Sequence, residues 1–282
     1  MHYGISVPNF GDYFLPQRVA ELAHEAEESG WDGFFVWDHI LFWNDGRLAM
    51  NDPWIALAAV AMRTNRIRLG TLVTPIARRR PWKLARETVS LDHLSNGRLI
   101  LGVGLGHPPQ DDFARFGEDP NPKARARKLD EGLAMLVGLW SGQPFTYAVD
   151  TYQLQAGTQF VPEPVQTPRI PIWVAGYLPH QAPFRRAAQW DGVCPGRWDD
   201  QPMTPDDLRA VLIAIRQHRT ARTPFDVVMG LPTDGADCVA AAAQVAPFID
   251  AGLTWWIEPL DSERGSLEVM RQRIWQGPPK LP

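Results

Sequence analysis

The sequence predicts a (β/α)8 TIM barrel, an α/β fold, as a single domain over residues 1–282. Short apolar runs alternate with longer amphipathic stretches eight times, and eight parallel strands that are each followed by a helix close into such a barrel. The length of 282 residues is typical of one barrel. A doubly wound open sheet is the alternative, but Pro8-Asn9-Phe10-Gly11 follows the first strand in place of that fold's glycine-rich phosphate-binding turn.

The strands are predicted from apolar runs without strict polar alternation, as expected where both faces of a strand are covered. They lie at residues 2–7, 33–37, 67–74, 99–106, 170–176, 192–195, 226–230 and 254–258. The helices are predicted from amphipathic patterns and from start signals, such as Pro16 and the cap-and-proline pairs Asp52-Pro53 and Thr204-Pro205. They lie at residues 16–29, 53–63, 82–94, 124–140, 180–189, 205–218, 236–251 and 266–275.

Two connections are too long to be ordinary loops between a strand and a helix. Residues 107–123 follow the fourth strand, at the face where barrels carry their chemistry, and their acidic and aromatic residues predict a lid or a short helix. Residues 141–169 precede the fifth strand, are rich in proline and aromatic residues, and predict an ordered excursion with its own hairpin.

Composition excludes several classes of partner. The formal charge is −4 and no stripe of Lys and Arg is interleaved with aromatic residues, so we expect no nucleic-acid partner. Cys194 and Cys238 lie far apart without metal spacing, which predicts no metal site and a reducing compartment. No segment approaches the roughly 18 apolar residues of a membrane helix. We therefore expect a soluble, cytoplasmic protein without a membrane partner.

The sequence alone leaves two features open to more than one interpretation. The basic run from Arg78 to Arg80 is either a solvated loop or a contact for a phosphate or a second subunit. Trp255 and Trp256 either offer one apolar face to the barrel mouth or pack in the core. Because neighbouring residues of a strand point to opposite sides, at least one of the two packs in the core.

The fourth predicted strand carries a glycine at every second position. Gly102, Gly104 and Gly106 therefore point to the same side of the sheet and leave it without Cβ atoms. Glycine weakens a strand, so three on one face need a reason. The close approach of a ligand and tight packing inside a small barrel both supply one, and spacing does not choose between them.

The run ARRRPWKLARETVSLDHLSNGRLILGVGLG, residues 77–106, closely resembles the luciferase-like family. Enzymes of that family use FMN, or the deazaflavin coenzyme F-420 (F420), in a (β/α)8 barrel. The resemblance implies an oxidoreductase that acts on a small organic substrate, with hydride transfer through the deazaflavin favoured. An FMN-dependent monooxygenase fed by a partner reductase and a non-catalytic flavin-binding barrel are the alternatives, and a homodimer is also implied.

The second strand ends in the residues that the resemblance places at the reaction. From the residues alone, Asp38 and His39 are an acid/base or hydrogen-bonding pair, or a cap beside an ordinary loop residue. In the deazaflavin branch of the family, the histidine and a tryptophan, here His39 and Trp43, face the substrate, and the aspartate contacts the ring or its neighbours. His107 stands where several relatives carry glutamate after Gly-x-Gly and is a further candidate catalytic residue, because histidine can move a proton near neutral pH. The change puts the alcohol and sugar-phosphate substrates of those relatives in doubt.

The resemblance also implies a set of cofactor contacts on the third, fourth and fifth strands. A bulge at Thr71–Val73 with a non-proline cis peptide props the central ring, and the backbone after the fifth strand receives the phosphate or the ribityl chain. A glycine and free N–H groups at a helix start suit that role. The residues concerned are Thr71, Leu72, Val73, Gly104, Gly106, Ala175, Gly176 and Tyr177.

Overall fold

The computed structural model describes residues 1–42, 48–149, 151–199 and 201–279. Within these ranges eight parallel strands form a closed barrel in the order β1-β2-β3-β4-β7-β8-β9-β10. The barrel strands are β1 (His2–Val7), β2 (Gly33–Val36), β3 (Arg68–Pro75), β4 (Leu99–Gly104), β7 (Ile172–Leu178), β8 (Gly192–Arg197), β9 (Asp226–Met229) and β10 (Trp255–Pro259). The predicted barrel is confirmed.

Helices cover the outside of the barrel. They are α1 (Pro16–Glu28), α2 (Pro53–Arg63), α3 (Pro81–Leu94), α4 (Pro109–Asp112), α5 (Pro122–Trp140), α6 (Ala182–Ala187), α7 (Pro205–Arg216), α8 (Cys238–Asp250) and α9 (Leu267–Trp275). The predicted caps are present, since Asp52 accepts the N–H groups of Trp54 and Ile55, and Thr204 forms a reciprocal capping box with Asp207. Each helix in the described ranges is too short or too polar to span a lipid bilayer.

Both long connections contain the structure expected of them. The segment after β4 forms α4 and a 3-10 turn at Ala114–Phe116. The segment before β7 forms an antiparallel hairpin of β5 (Phe145–Ala148) and β6 (Gln153–Thr158). The helix predicted at 180–189 is shorter, since α6 covers only Ala182–Ala187.

Large side chains fill the lower part of the barrel interior. This layer consists of Phe35, Ile100, Trp173, Val228, Trp255 and Ile257, with Leu72 and Cys194 packed against it. Trp255 therefore belongs to the floor, where its ring lies 5.3 Å from that of Trp173, whereas Trp256 points outward and packs on Phe248. The placement of one tryptophan at the barrel mouth was wrong, because both rings are taken up by packing.

The glycines of β4 make room for the neighbouring strand. The register of β3 against β4 shifts between Thr71 and Thr74, which is the predicted bulge, and the Leu72–Val73 peptide is cis. A Cβ on Gly102 would lie 2.2 Å from the carbonyl oxygen of Thr71, and one on Gly104 would lie 2.7 Å from Val73 Cγ2. Tight packing is therefore the reason for glycine at these two positions, and the bulge of β3 occupies the space.

A buried carboxylate fixes the loop that leads into β3. Glu27, which is 4% exposed near the end of α1, accepts the backbone N–H groups of Asn65, Arg66 and Ile67. Burial raises the pKa of Glu27, but these hydrogen bonds and the nearby Arg66 guanidinium outweigh it and lower the pKa overall. The loop therefore depends on the charged form of Glu27.

Replacing Glu27 with glutamine should lower the free energy of unfolding at pH 7 by about 1–3 kcal/mol, because hydrogen bonds to a charged acceptor are lost. The pKa of Glu27 is lowered in the folded state, so its contribution is present above the unfolded value of about 4.3 and disappears as the pH falls through the folded value. Urea unfolding measures this free energy at pH 7 and near pH 4. The difference in unfolding free energy between Glu27→Gln and the wild type should be smaller near pH 4 than at pH 7. Glu28→Gln, at the exposed neighbour, should change stability by less than about 0.5 kcal/mol. The same difference in unfolding free energy at both pH values would contradict the role assigned to the Glu27 carboxylate.

Candidate active site

A cavity of about 530 Å³ opens at the carboxyl ends of β2, β3, β4 and β7. This is the face where (β/α)8 barrels carry their chemistry. The sequence-predicted residues that line it are Asp38, His39, Leu72, Val73, Gly104, Gly106, His107, Ala175, Gly176 and Tyr177. Thr71 lies below it, fully buried, and donates its hydroxyl to the carbonyl of Gly102. Trp43 lies outside the described residues.

Asp38 is clamped by two arginines beneath this cavity. Arg78 Nη2 lies 2.8 Å from Asp38 Oδ1, Arg79 Nη2 lies 2.7 Å from both carboxylate oxygens, and the Thr74 hydroxyl donates to Oδ2 at 2.8 Å. Burial raises the pKa of Asp38, but the charges of Arg79 and Arg78 outweigh it and hold the pKa below its usual value. Asp38 is therefore a fixed carboxylate, and it does not exchange protons near neutral pH.

The same contacts revise the interpretation of the basic run. The Arg78 and Arg79 side chains are largely buried against Asp38, so they are not part of a solvated loop. Only Arg80 is exposed, with its guanidinium 5.8 Å from the ring of Trp82. Sequence reasoning missed this pairing because about forty residues separate the two sides of the ion pair.

Hydrogen bonds with Asn9 hold the backbone of His39, and one of its ring nitrogens lies near a carboxylate. The fully buried Asn9 side chain donates to the His39 carbonyl at 2.8 Å and accepts the His39 N–H at 3.2 Å. His39 Nδ1 lies 3.3 Å from Oδ2 of Asp112, a buried carboxylate at the end of α4. Asp112 Oδ1 in turn accepts the N–H of Ile40. Nδ1 and Oδ2 face each other without a hydrogen bond between them, and Nε2 is the other ring nitrogen that a reacting molecule could contact.

Aromatic rings form the outer rim of the cavity around Trp198. This exposed residue follows β8, and its ring centroid lies 5.8 Å from that of His107 and 6.2 Å from those of Tyr177 and His180. His107 is therefore at the rim of the cavity. Sequence reasoning missed Trp198, although its position directly after a barrel strand is the signal that would have selected it.

A buried arginine shapes the loop at Gly106. Arg125 on α5 donates to the carbonyls of Leu105 and Gly106 at 2.8 and 2.7 Å. Gly106 has a positive φ of 84°, and a Cβ there would lie 2.8 Å from the Phe113 ring and 2.9 Å from Pro75. Glycine at this position is thus required by the loop itself. Replacing it would disturb the loop before any ligand contact was tested.

The chain matches the family model described as luciferase-like monooxygenase over residues 1–271. An F420-dependent glucose-6-phosphate dehydrogenase from Gordonia bronchialis is 34% identical over 188 residues, which cover 65% of this chain and 54% of that protein. The chain spans about half the length of the first curated relatives that it matches.

Two solved structures share the fold. One is an F420-dependent secondary alcohol dehydrogenase in complex with an F420-acetone adduct, with a TM-score of 0.79 and 16% sequence identity. The superposition covers 98% of this chain and 97% of the chain of that enzyme. The monooxygenase RslO1 from Streptomyces bottropensis has a TM-score of 0.75 and 21% identity, with 97% and 96% coverage. With the family model matching nearly the whole sequence, this chain belongs to the luciferase-like monooxygenase family.

Proposed function

We propose that this chain is an oxidoreductase that transfers a hydride between the deazaflavin F420 and a small organic substrate, with His39 moving the proton. The observation that carries the proposal is the His39–Asp112 pair, held beside the bulge of β3 in the main cavity. The curated relatives named as F420-dependent dehydrogenases support the choice of cofactor.

The residues present fit such a cofactor. The wall formed by Leu72, Val73 and Ala175 is apolar and suits the face of a planar ring. At the β7 end of the cavity lie His180 and Arg186, whose guanidinium group is paired with Asp130, and their N–H groups can donate hydrogen bonds to a phosphate-bearing tail. His39 lies at the β2 end, three strand spacings away, or about 14 Å. A ring and its tail can therefore extend along the cavity.

F420, when bound, accepts or gives the hydride. In the direction of alcohol oxidation, the C–H electron pair of the substrate leaves as that hydride, and the C–O bond becomes a carbonyl. His39 Nε2 takes the hydroxyl proton, and in the reverse direction it returns that proton. A proton on Nδ1 would face the carboxyl group of Asp112 and would leave Nε2 free to take or give a proton. Asp38 and Asn9 act on His39 only by fixing its backbone.

Cofactor titration tests the proposal directly. We expect the purified protein to bind F420 at least about tenfold more tightly than FMN, since the longer tail of F420 can accept more hydrogen bonds from the N–H groups at the β7 end of the cavity; this is about 1.4 kcal/mol of binding free energy. Fluorescence quenching of each cofactor measures the dissociation constants. Tighter binding of FMN, with oxygen-dependent turnover once a reductase supplies reduced FMN, would establish the monooxygenase alternative instead. Binding of either cofactor without turnover of any substrate would favour the non-catalytic barrel.

Replacing His39 with alanine should lower turnover by about 10²–10⁴-fold, the usual contribution of a positioned acid/base group, while the F420 dissociation constant stays within a few-fold. Added imidazole should restore part of the lost rate. Asp112→Asn should lower turnover by a smaller factor, since the imidazole remains but loses its charged partner. His107→Ala tests the other candidate, since a loss as large as that of His39→Ala would assign the proton transfer to His107. His218→Ala, at an exposed position outside the cavity, is the matched control and should keep most of the activity. Loss of cofactor binding in His39→Ala, with normal turnover of the bound fraction, would make His39 a binding residue.

A further inference from the structure

A second cavity, of about 410 Å³, opens at the same end of the barrel between the ends of β1, β8, β9 and β10. Leu72, on the bulge of β3, lines both cavities, so the two share a wall. The body of the second cavity is apolar. Its apolar lining is formed mainly by Leu72, Met203, Val228, Met229, Leu231 and Ile257. A ligand that reaches the shared wall can therefore bury its remaining atoms here.

Arg197 is the cationic side chain in the described lining of the second cavity, and carboxylates of the protein already neutralise its charge. Arg197 donates to both carboxylate oxygens of Asp199, at 2.9 and 2.6 Å, and to Asp207 at 3.0 Å. Two carboxylates against one guanidinium leave an excess of negative charge at this edge. A phosphate or carboxylate on a ligand would meet repulsion instead of a partner.

The other polar groups of the lining are uncharged. They are the Ser6 hydroxyl, the Cys194 thiol and the Gln201 amide. Burial raises the pKa of Cys194, so the thiol keeps its proton at neutral pH. These groups can form hydrogen bonds with a neutral oxygen, but they do not compensate a charge, and an uncompensated charge in an apolar cavity is strongly unfavourable.

We propose that the second cavity is the substrate pocket and that it selects an uncharged, largely apolar alcohol or ketone over a sugar phosphate. The apolar body of the substrate lies against Val228, Leu231 and Ile257, and its hydroxyl-bearing carbon extends past Leu72 into the main cavity, which His39 lines. This inference rests on the proposed function for the identity of the reaction. It separates this chain in substrate class from the glucose-6-phosphate dehydrogenases that it resembles in sequence.

Two alcohols with the same reacting group test the selection. The F420-loaded protein should oxidise 2-octanol with a kcat/KM at least about 100-fold above that for 7-hydroxyoctanoate, whose far end carries a carboxylate, and above that for glucose 6-phosphate. Absorbance of F420 follows the reaction. Equal or better use of glucose 6-phosphate or of 7-hydroxyoctanoate would overturn the inference and leave the proposed function intact.

Lysine substitutions then locate the pocket. Leu231→Lys should lower kcat/KM for 2-octanol at least about tenfold, because it places a charge in the apolar lining. Val239→Lys, at an 81% exposed position on α8 outside both cavities, is the matched control and should leave the rate unchanged. Gln201→Lys, at the exposed edge, should fold normally and raise kcat/KM for 7-hydroxyoctanoate. If neither lysine in the lining changes the preference, the second cavity is not the substrate pocket.

A readout without cofactor separates this inference from the proposed function. The neutral dye N-phenyl-1-naphthylamine should bind the cofactor-free protein, and 2-octanol should displace it more effectively than 7-hydroxyoctanoate. Leu231→Lys should weaken dye binding, and Val239→Lys should not. With these results, failure to reduce F420 would reject the proposed function but keep the pocket. Unchanged dye binding in Leu231→Lys would reject the pocket.

Discussion

The carboxylate of Asp38, buried between the guanidinium groups of Arg78 and Arg79, is the interaction on which the geometry of the main cavity depends. It ties the end of β2, next to His39, to the segment after β3, and Thr74, which follows the bulge within β3, also donates to it. Removing a charge from water is costly, and the cost is offset here by two cations and the Thr74 hydroxyl. Because both carboxylate oxygens are engaged, the residue next to Asp38 starts from a fixed position.

Local sequence signals were sufficient for the barrel but not for the side-chain pairs. The bounds of β1 and α2 follow directly from an apolar run and from a cap followed by proline, which are properties of adjacent residues. The ion pair of Asp38 with Arg79, by contrast, joins residues far apart in the chain. The approach of Asp112 to His39 depends on the position of α4, which carries Asp112. Strand order brings these partners together, and no spacing rule in a single sequence encodes their contact.

The glycines of β4 show what the spacing of residues in a sequence can predict and what it cannot. Alternation correctly placed Gly102 and Gly104 on one face of the strand, but it carried no information about what fills the space. Thr71 and Val73 fill it, because the bulge of β3 bends toward β4. Gly106, beyond the strand end, is glycine for another reason, since its φ is positive and Phe113 lies against it. The glycine pattern thus has two structural causes, which are close packing against the bulge and a positive φ. Neither cause involves a ligand.

The bulge of β3 lies at the boundary between two chemically different cavities of the barrel mouth. Leu72, on the bulge, lines both of them. On one side lie the imidazole of His39, the rim histidines and Arg186, which is paired with Asp130. On the other side the cation Arg197 is neutralised by two aspartates and the wall is apolar. Hydride transfer needs a donor and an acceptor in contact with water excluded between them, so a substrate that fills the second cavity has to extend its reacting carbon past Leu72 into the main cavity.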